Sequence, residues 1–151
     1  MSETKYYLAQ INIAEALGPL DSEVMSGFVN GLDRINSLAE TSEGFVWRLK
    51  DDSGDATDIQ AFDNPLIIVN LSLWEDLDSL KAFTFQSAHV EFLRNRREWF
   101  KKMDEPPYVL WWIPEGTVPS VKNGKKALKH LAENGPTEAA FDFKKWFDAP
   151  K

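Results

Sequence analysis

The sequence predicts an α+β fold in which one antiparallel sheet carries helices on one face. Its hydrophobic periodicity changes along the chain in the order strand, helix, strands, helix, strand. Hydrophobic residues make up 43% of the 151 residues, so one domain of this length can bury a core. We therefore predict a single domain of ferredoxin-like order, with a core over 5–114 and a C-terminal helix and tail over 115–151.

The first strand is predicted at Tyr6–Ile13, where aromatic and β-branched residues dominate. Gly18 and Pro19 end it, and a helix follows up to Gly44. The apolar positions of that helix repeat at helical spacing. They are Met25, Phe28, Val29, Leu32, Ile35 and Ala39.

The second half of the core predicts further strands and one long helical pattern. The later elements are strands at Phe45–Lys50, Thr57–Phe62, Leu66–Ser72 and Tyr108–Ile113, and a final helix at Ser120–Glu133. The long helical pattern runs from Leu73 to Met103, and we expect it to break near Gln86. Ser72 and Glu75 have the spacing of a capping box, which predicts that this helix begins there.

Composition excludes several function classes. The formal net charge is −7, opposite in sign to the basic field of a nucleic-acid binder. The chain has no cysteine, which excludes disulfides and thiolate metal sites. The opening MSETKYYLAQ lacks the pattern of a signal peptide. Apolar runs such as Leu66–Val69 are too short to span a membrane. We expect a cytoplasmic protein without nucleic-acid or membrane partners.

Polar residues recur on one side of three predicted strands. Side chains alternate between the two faces of a strand, so each strand separates into two sets. One set is apolar throughout and consists of Ala9, Ile11, Ile13, Phe45, Trp47, Leu49, Ile67, Val69 and Leu71. The other set carries Gln10, Asn12, Arg48, Asn70 and Ser72. On a shared face this second set would form a polar patch in an apolar setting, which is typical of a small-molecule site. A bulge in any strand would turn its set to the opposite face.

His89 lies on the long helix at helical spacing from apolar residues, so we expect it to be at least half-buried. Its face also holds Phe92, Leu93, Arg96, Phe100 and Met103. His89 is either a structural histidine or a proton-transfer group or axial metal ligand. The amides of the polar set are either ligand-binding or a core network that fixes strand register. Arg48 is either a clamp for an anionic ligand or half of a salt bridge.

The remaining charged features of the sequence do not predict a functional site. The basic stretch from Arg94 to Lys102 is interrupted by Glu98 and is predicted to be a solvated helix face. His130 lies in a lysine-rich helix and is predicted to be exposed and without a role. The sequence has no P-loop, Gly-rich dinucleotide motif or zinc motif.

Five stretches of the chain together resemble one bacterial family. They are YYLAQINIA, GFVWRL, IVNLSLW, SAHVEFLRNRREWF and VLWWIPEG, and they span nearly the whole chain. The chain resembles the domain-of-unknown-function family 3291. That family is placed among the dimeric α/β barrels, beside antibiotic-biosynthesis monooxygenases and haem-degrading monooxygenases. The resemblance implies a barrel completed by a second copy of the chain.

The resemblance also implies roles for single residues. Haem-degrading relatives use an Asn on the first strand, a Trp in the second helix and a His further along as haem ligand. Asn12 and His89 match the first and third positions, whereas Phe83 stands near the second, which departs from the pattern. Cofactor-free monooxygenases bind polycyclic phenols between sheet and helices, and the substrate itself reduces oxygen. The residues placed to support such work are Asn12, Asn70, Trp74, Arg48 and His89.

We therefore expect a small-molecule-binding protein with monooxygenase-like chemistry on an aromatic or polyketide-like substrate. The expected catalytic residues are His89, Asn12 and Arg48, and the expected ligand-binding residues are Gln10, Asn70, Trp74, Phe83, Phe92 and Arg96. No cofactor is expected. The alternatives are a haem protein with His89 as axial ligand and a non-catalytic binding module. A homodimer is expected because an apolar face with Phe45, Trp47, Ile67 and Val69 costs about 25 cal/mol per Å² when exposed.

Overall fold

Four strands form one antiparallel sheet in the described part of the chain. The computed structural model describes residues 5–49, 64, 66–86, 89–103 and 106–150, and for residues 91–93 it describes the backbone alone. The strands are β1 Tyr6–Glu15, β2 Phe45–Arg48, β3 Ile67–Trp74 and β4 Tyr108–Pro114. Their order across the sheet is β2-β3-β1-β4, with every neighbouring pair antiparallel. This order confirms the predicted ferredoxin-like α+β fold.

The helices lie on both faces of this sheet. A 3₁₀ turn at Glu23–Met25 leads into α1 Ser26–Glu40, and the later helices are α2 Leu77–Gln86, α3 His89–Trp99 and α4 Val121–Asn134. The first three pack on one face, as predicted, whereas α4 of the C-terminal extension packs on the other. Among the residues described, no helix combines the length and apolar character that crossing a bilayer requires.

Alternation along β1 defines the two faces. The site face carries the side chains of Leu8, Gln10 and Asn12, and it packs against α1, α2 and α3. The α4 face carries Ala9 and Ile11, which are fully buried among apolar residues of β3, β4 and α4. The α4 face therefore holds the main hydrophobic core, and the polar residues of β1 are restricted to the site face.

A bulge in β2 corrects the predicted apolar set. Phe45 pairs with Trp74 and Trp47 pairs with Leu73, so one extra residue lies between the two pairs. Phe45 consequently lies on the site face, where its ring meets Trp74 edge-on at 5.5 Å. Val69, which the dimer prediction assumed to be exposed, is 5% exposed in the single chain. The argument from an uncovered face does not hold for these two residues, and the homodimer stays a prediction.

The start of α2 also differs from the prediction. Ser72 belongs to β3, which continues to Trp74, so Ser72 and Glu75 form no capping box. The Asp76 carboxylate instead accepts a 2.7 Å hydrogen bond from the Ser79 backbone N–H in the first turn. The long helical pattern is divided, since α2 ends at Gln86 and α3 begins at His89. The predicted strand Thr57–Phe62 lies outside the described residues.

Gly124 allows α4 to approach the sheet closely. A Cβ atom at this position would collide with the Cδ1 of Ile11 and lie 3.1 Å from its Cβ. One turn before Gly124, a capping box begins α4. In it, Ser120 and Asn123 exchange two hydrogen bonds of 3.1 Å. The last helix thus starts where the sequence predicts.

Gly124→Ala tests this close approach. The substitution is expected to lower the free energy of unfolding by about 1–3 kcal/mol, because overpacking against buried Ile11 outweighs the gain in helix propensity. Denaturant titration measures the loss. In an Ile11→Val background, which removes the Cδ1 atom, the same substitution should cost less. An equal or larger cost in that background would contradict the contact.

Asp76→Ala and Glu75→Ala test the corrected helix start. Loss of the Asp76 cap should cost about 1 kcal/mol of unfolding free energy. Glu75 is exposed, and its replacement should change stability by no more than about 0.5 kcal/mol. Thermal or chemical unfolding of both variants measures the two losses. A larger loss of stability in Glu75→Ala than in Asp76→Ala would support the capping box of Ser72 and Glu75 instead.

Candidate functional site

The strand register brings the five predicted polar residues to one face. Gln10 lies opposite Ser72, Asn12 opposite Asn70, and Arg48 opposite Ser72. Residues directly opposite each other on neighbouring strands point to the same side of the sheet. Gln10, Asn12, Arg48, Asn70 and Ser72 therefore form one polar patch on the site face. The shared face is confirmed, whereas the roles of these residues stay predictions.

A hydrogen-bond network ties the buried part of the polar patch together. The Gln10 amide donates to Asn70 Oδ1 at 2.7 Å and to Ser72 Oγ at 2.8 Å. The Trp74 indole N–H donates to the same Ser72 Oγ at 2.9 Å. Gln10 and Ser72 are 8% and 6% exposed, so these bonds satisfy groups that water does not reach. The network fixes the pairing of β1 with β3.

The outer part of the polar patch is open to solvent. Asn12 and Asn70 are both exposed, although they lie directly beside the buried Gln10 network. Because Asn70 uses its oxygen to accept from Gln10, its amide hydrogens remain as donors. Within the described residues, neither amide donates to a protein acceptor in the observed bonds. A ligand lying on the site face would meet these donors first.

Arg48 forms the β2 side of the polar patch. Its side chain is 9% exposed, and its guanidinium lies 3.6 Å from the Glu40 carboxylate at the end of α1. The salt-bridge interpretation is therefore observed. The nearly buried guanidinium also adds positive charge beside the amide donors.

His89 lies at the start of α3 and is bonded to the end of α2. Its Nδ1 donates to the Thr84 carbonyl at 3.2 Å, which assigns the proton to Nδ1 in the neutral ring. The imidazole packs 4.9 Å from the Phe83 ring, which stacks at 5.2 Å on Trp74. Burial lowers the His89 pKa, and the bond to Thr84 opposes that shift. Near pH 7 the ring is neutral, with Nε2 as its basic nitrogen.

The other predicted site residues divide into two groups. Trp74 is buried within the network, and Phe83 connects it to His89. Arg96 lies exposed on α3, with no observed contact to the polar patch. Phe92 belongs to α3, and its side chain lies outside the described part. His130, predicted to be exposed and without a role, is half-buried, and its Nε2 lies 2.8 Å from the Thr137 hydroxyl.

Tyr108 was missed by the sequence analysis. It begins β4 directly opposite Asn12, so it extends the polar patch across a third strand pair. The sequence-based prediction sorts the side chains of β1, β2 and β3 into two faces, and it leaves those of β4 unsorted. The alternation of Tyr108 with Val109 would have placed it, had the pairing of β4 with β1 been known.

Two surface cavities occur in the described part of the chain, and neither is lined by a residue of the polar patch. One groove of about 500 Å³ reaches Phe83 and carries acidic residues; its lining is Ser42, Glu43, Asp76, Asp78, Ser79, Ala82, Phe83 and Gln86. A second of about 470 Å³ lies on the α4 face beside Trp111, Asn123 and His130. No group of three potential metal ligands occurs among the residues that the structure describes.

Comparison with known families places the chain. The family model described as "Domain of unknown function (DUF3291)" matches residues 7–151. The chain belongs to the DUF3291 family. This confirms the resemblance seen in the sequence motifs. No curated protein matches the chain.

Several solved structures are similar to this DUF3291 chain. They include SnoaB, a cofactor-independent oxygenase from Streptomyces nogalater, with 16% identity, 76% of this chain and 98% of that chain covered, and a TM-score of 0.48. NE2512, a protein of unknown function from Nitrosomonas europaea, has 14% identity, coverage of 77% and 95%, and a TM-score of 0.47. PA3566 from Pseudomonas aeruginosa has 10% identity, coverage of 78% and 100%, and a TM-score of 0.47. These values are too low to transfer a ligand or a reaction.

The lowered pKa of His89 predicts a pH-dependent stability. Its ordinary pKa is 6.5, and an unfolded chain takes up a proton there that the folded chain takes up only at lower pH. Stability should therefore fall as the pH decreases from 6.5 towards 5. His89→Gln should remove this part of the slope, and His130→Gln should keep it. Chemical denaturation across this range measures both, and an unchanged slope in His89→Gln would contradict the burial effect.

Proposed function

We propose that this DUF3291 protein is a cytoplasmic enzyme that binds a small aromatic or polyketide-like molecule over the polar patch and oxidises it by monooxygenase-like chemistry. The observation that carries the proposal is the concentration of hydrogen-bond donors on the site face. Among the described residues, the donors with no observed protein acceptor are the exposed amides of Asn12 and Asn70, which lie beside the buried network of Gln10 and Ser72. Hydrogen-bond donors in an apolar setting suit an aromatic molecule that carries oxygen atoms.

Aromatic clusters border the polar patch at both ends. Trp74 and Phe83 stack at one end, above the Leu8 position of β1. At the other end, Phe28 packs with Trp99 at 5.8 Å and with Phe100 at 5.0 Å. A ligand between these clusters would bury its rings against apolar walls while its oxygen atoms face the amides.

His89 is the proposed proton acceptor. Its neutral ring offers Nε2 as a base, because Nδ1 is held by the Thr84 carbonyl. The base removes a proton from an acidic C–H or O–H of the substrate, and the donors stabilise the resulting anion. Molecular oxygen is the oxidant. For a methylene substrate, a C=O bond replaces two C–H bonds, and the second oxygen atom leaves as water.

The spacing between base and patch limits the substrate. Two ring-to-ring contacts, of 4.9 Å and 5.2 Å, separate His89 from Trp74, whose indole reaches Ser72. A substrate of two or three fused rings is long enough to extend across two such spacings. We therefore propose a substrate of this size, with its acidic position near His89.

Anthrone is a suitable probe of this proposal, since it is tricyclic and has a weakly acidic methylene group. The wild-type protein should accelerate oxygen uptake by anthrone, followed with an oxygen electrode. His89→Gln should reduce the rate at least about 100-fold through loss of the base. His130→Gln, which changes the other histidine, is the matched control and should keep the rate. Binding without oxygen uptake would favour a non-catalytic module, and full activity of His89→Gln would exclude His89 as the base.

Haem binding is the second candidate. A bond from histidine Nδ1 to a backbone carbonyl is the arrangement that orients many metal-ligating histidines, and His89 has it. The groove beside Phe83 fits haem poorly, because Glu43, Asp76 and Asp78 would repel the haem carboxylates. Titration with haemin should give no His89-dependent Soret band. Such a band, lost in His89→Gln, would replace the cofactor-free proposal.

The proposal includes a homodimer. Leu17 and Val24 are 42% and 43% exposed, and such apolar side chains are costly to leave in water. Light scattering of the intact chain tests the dimer, and a monomer at all concentrations would refute it without affecting the site.

A further inference from the structure

Tyr108 continues the polar patch onto β4. It lies opposite Asn12, and Asn12 lies opposite Asn70, so these three side chains form one line across β4, β1 and β3. Directly opposed residues have Cβ atoms about 5 Å apart, so the Tyr108 ring rises from the sheet beside the exposed Asn12. Tyr108 also packs against the hydrophobic cluster that contains Trp74 and Leu110, as Phe83 does.

The C-terminal tail holds the Tyr108 hydroxyl. The backbone N–H of Phe143 donates to the Tyr108 oxygen at 3.2 Å, and the two rings lie 5.5 Å apart. Phe143 also contacts Phe85 of α2 at 5.2 Å. The tail is itself fixed to the edge of β4, since Leu110 and Phe141 exchange backbone hydrogen bonds of 2.8 Å and 2.9 Å. The hydroxyl therefore has a defined position between the sheet and α2.

The direction of the Phe143 bond determines what the hydroxyl can do next. Because its oxygen accepts from a backbone N–H, the hydroxyl hydrogen is left to donate elsewhere. In the part of the chain described, no protein acceptor for this hydrogen is observed. Burial raises the Tyr108 pKa, opposed by the Phe143 bond and supported by the nearby Asp142 charge, so the group stays protonated.

We propose that Tyr108 is a ligand-binding residue that donates its hydroxyl hydrogen to an oxygen atom of the bound molecule, from a position set by the Phe143 backbone. This inference rests on the proposed function, because it assumes the same ligand over the polar patch. It assigns the C-terminal tail a role in substrate specificity. A ligand with an oxygen acceptor on the β4 side is preferred over one without it.

Two probes of similar shape distinguish the contribution of a hydrogen bond to binding from the contribution of ring packing. Anthrone carries a carbonyl oxygen, whereas dihydroanthracene has the same three rings and no oxygen. Binding of each is measured by quenching of tryptophan fluorescence. Tyr108→Phe keeps the ring and removes only the hydroxyl. It should weaken anthrone binding about tenfold, as expected for loss of one hydrogen bond to a buried group, and leave dihydroanthracene binding unchanged.

Tyr7→Phe is the matched control, because Tyr7 lies on the α4 face of the same strand pair. It should bind both probes as the wild type does. Equal anthrone affinity in Tyr108→Phe and wild type would overturn the inference and leave the proposed function intact. Equal weakening of both probes would also overturn it, since that result indicates a structural role. If the wild type binds neither probe, the proposed function fails and the inference fails with it.

Discussion

The buried amide of Gln10 is held by hydrogen bonds to β3. Gln10 lies on β1, a central strand of the sheet that pairs with β3 on one side and β4 on the other. The two bonds from its nitrogen, to Asn70 and Ser72, exist only in the observed register of these two strands. A shift of one residue would turn Gln10 towards the apolar α4 face, where an unpaired amide costs about 1–3 kcal/mol. The same shift would expose Ile11. Polar and apolar requirements thus select one pairing of β1 with β3.

The rest of the site follows from this pairing. With Gln10 fixed, Asn12 and Asn70 are placed together on the site face, and Trp74 is placed where its indole reaches Ser72. Phe83 stacks on Trp74, and His89 packs on Phe83, so the position of the histidine depends on the strand register through two rings. The network is therefore both structural and ligand-facing. The two interpretations of the amides are compatible, because Gln10 fixes the register and Asn12 and Asn70 remain open.

Strand alternation alone was sufficient to predict the polar patch. Gln10, Asn12 and Asn70 lie on regular strands, where a period of two assigns the face without ambiguity. Phe45 was wrongly assigned because the bulge before Trp47 depends on pairing with β3, which periodicity within β2 does not contain. Tyr108 was missed for a similar reason, since its neighbour Asn12 is known only from the order of the strands.

Tertiary packing, which local sequence patterns do not contain, limited the other predictions. Ser72 and Glu75 have capping-box spacing, but the Trp74 side chain is buried in the sheet and extends β3 through that position. Packing against Phe45 and Phe83 overrides the local preference for a helix start. The packing of α4 on the α4 face was also not predicted. It depends on the close approach of Gly124 to Ile11, two residues that are far apart in the sequence. Strand alternation predicts that this face is apolar, whereas tertiary packing determines what covers it.

If the polar patch is a ligand surface, the side-chain amide resonances of its residues should respond to a bound ligand. Titration of isotope-labelled protein with anthrone, followed by nuclear magnetic resonance, reports on the side-chain amides of Gln10, Asn12 and Asn70. We predict saturable shifts at Asn12 and Asn70, with no shift at Asn123, which lines the cavity on the α4 face. Shifts at Asn123 alone, or no shift at Asn12 and Asn70 at the highest anthrone concentration, would show that the polar patch is not a ligand surface.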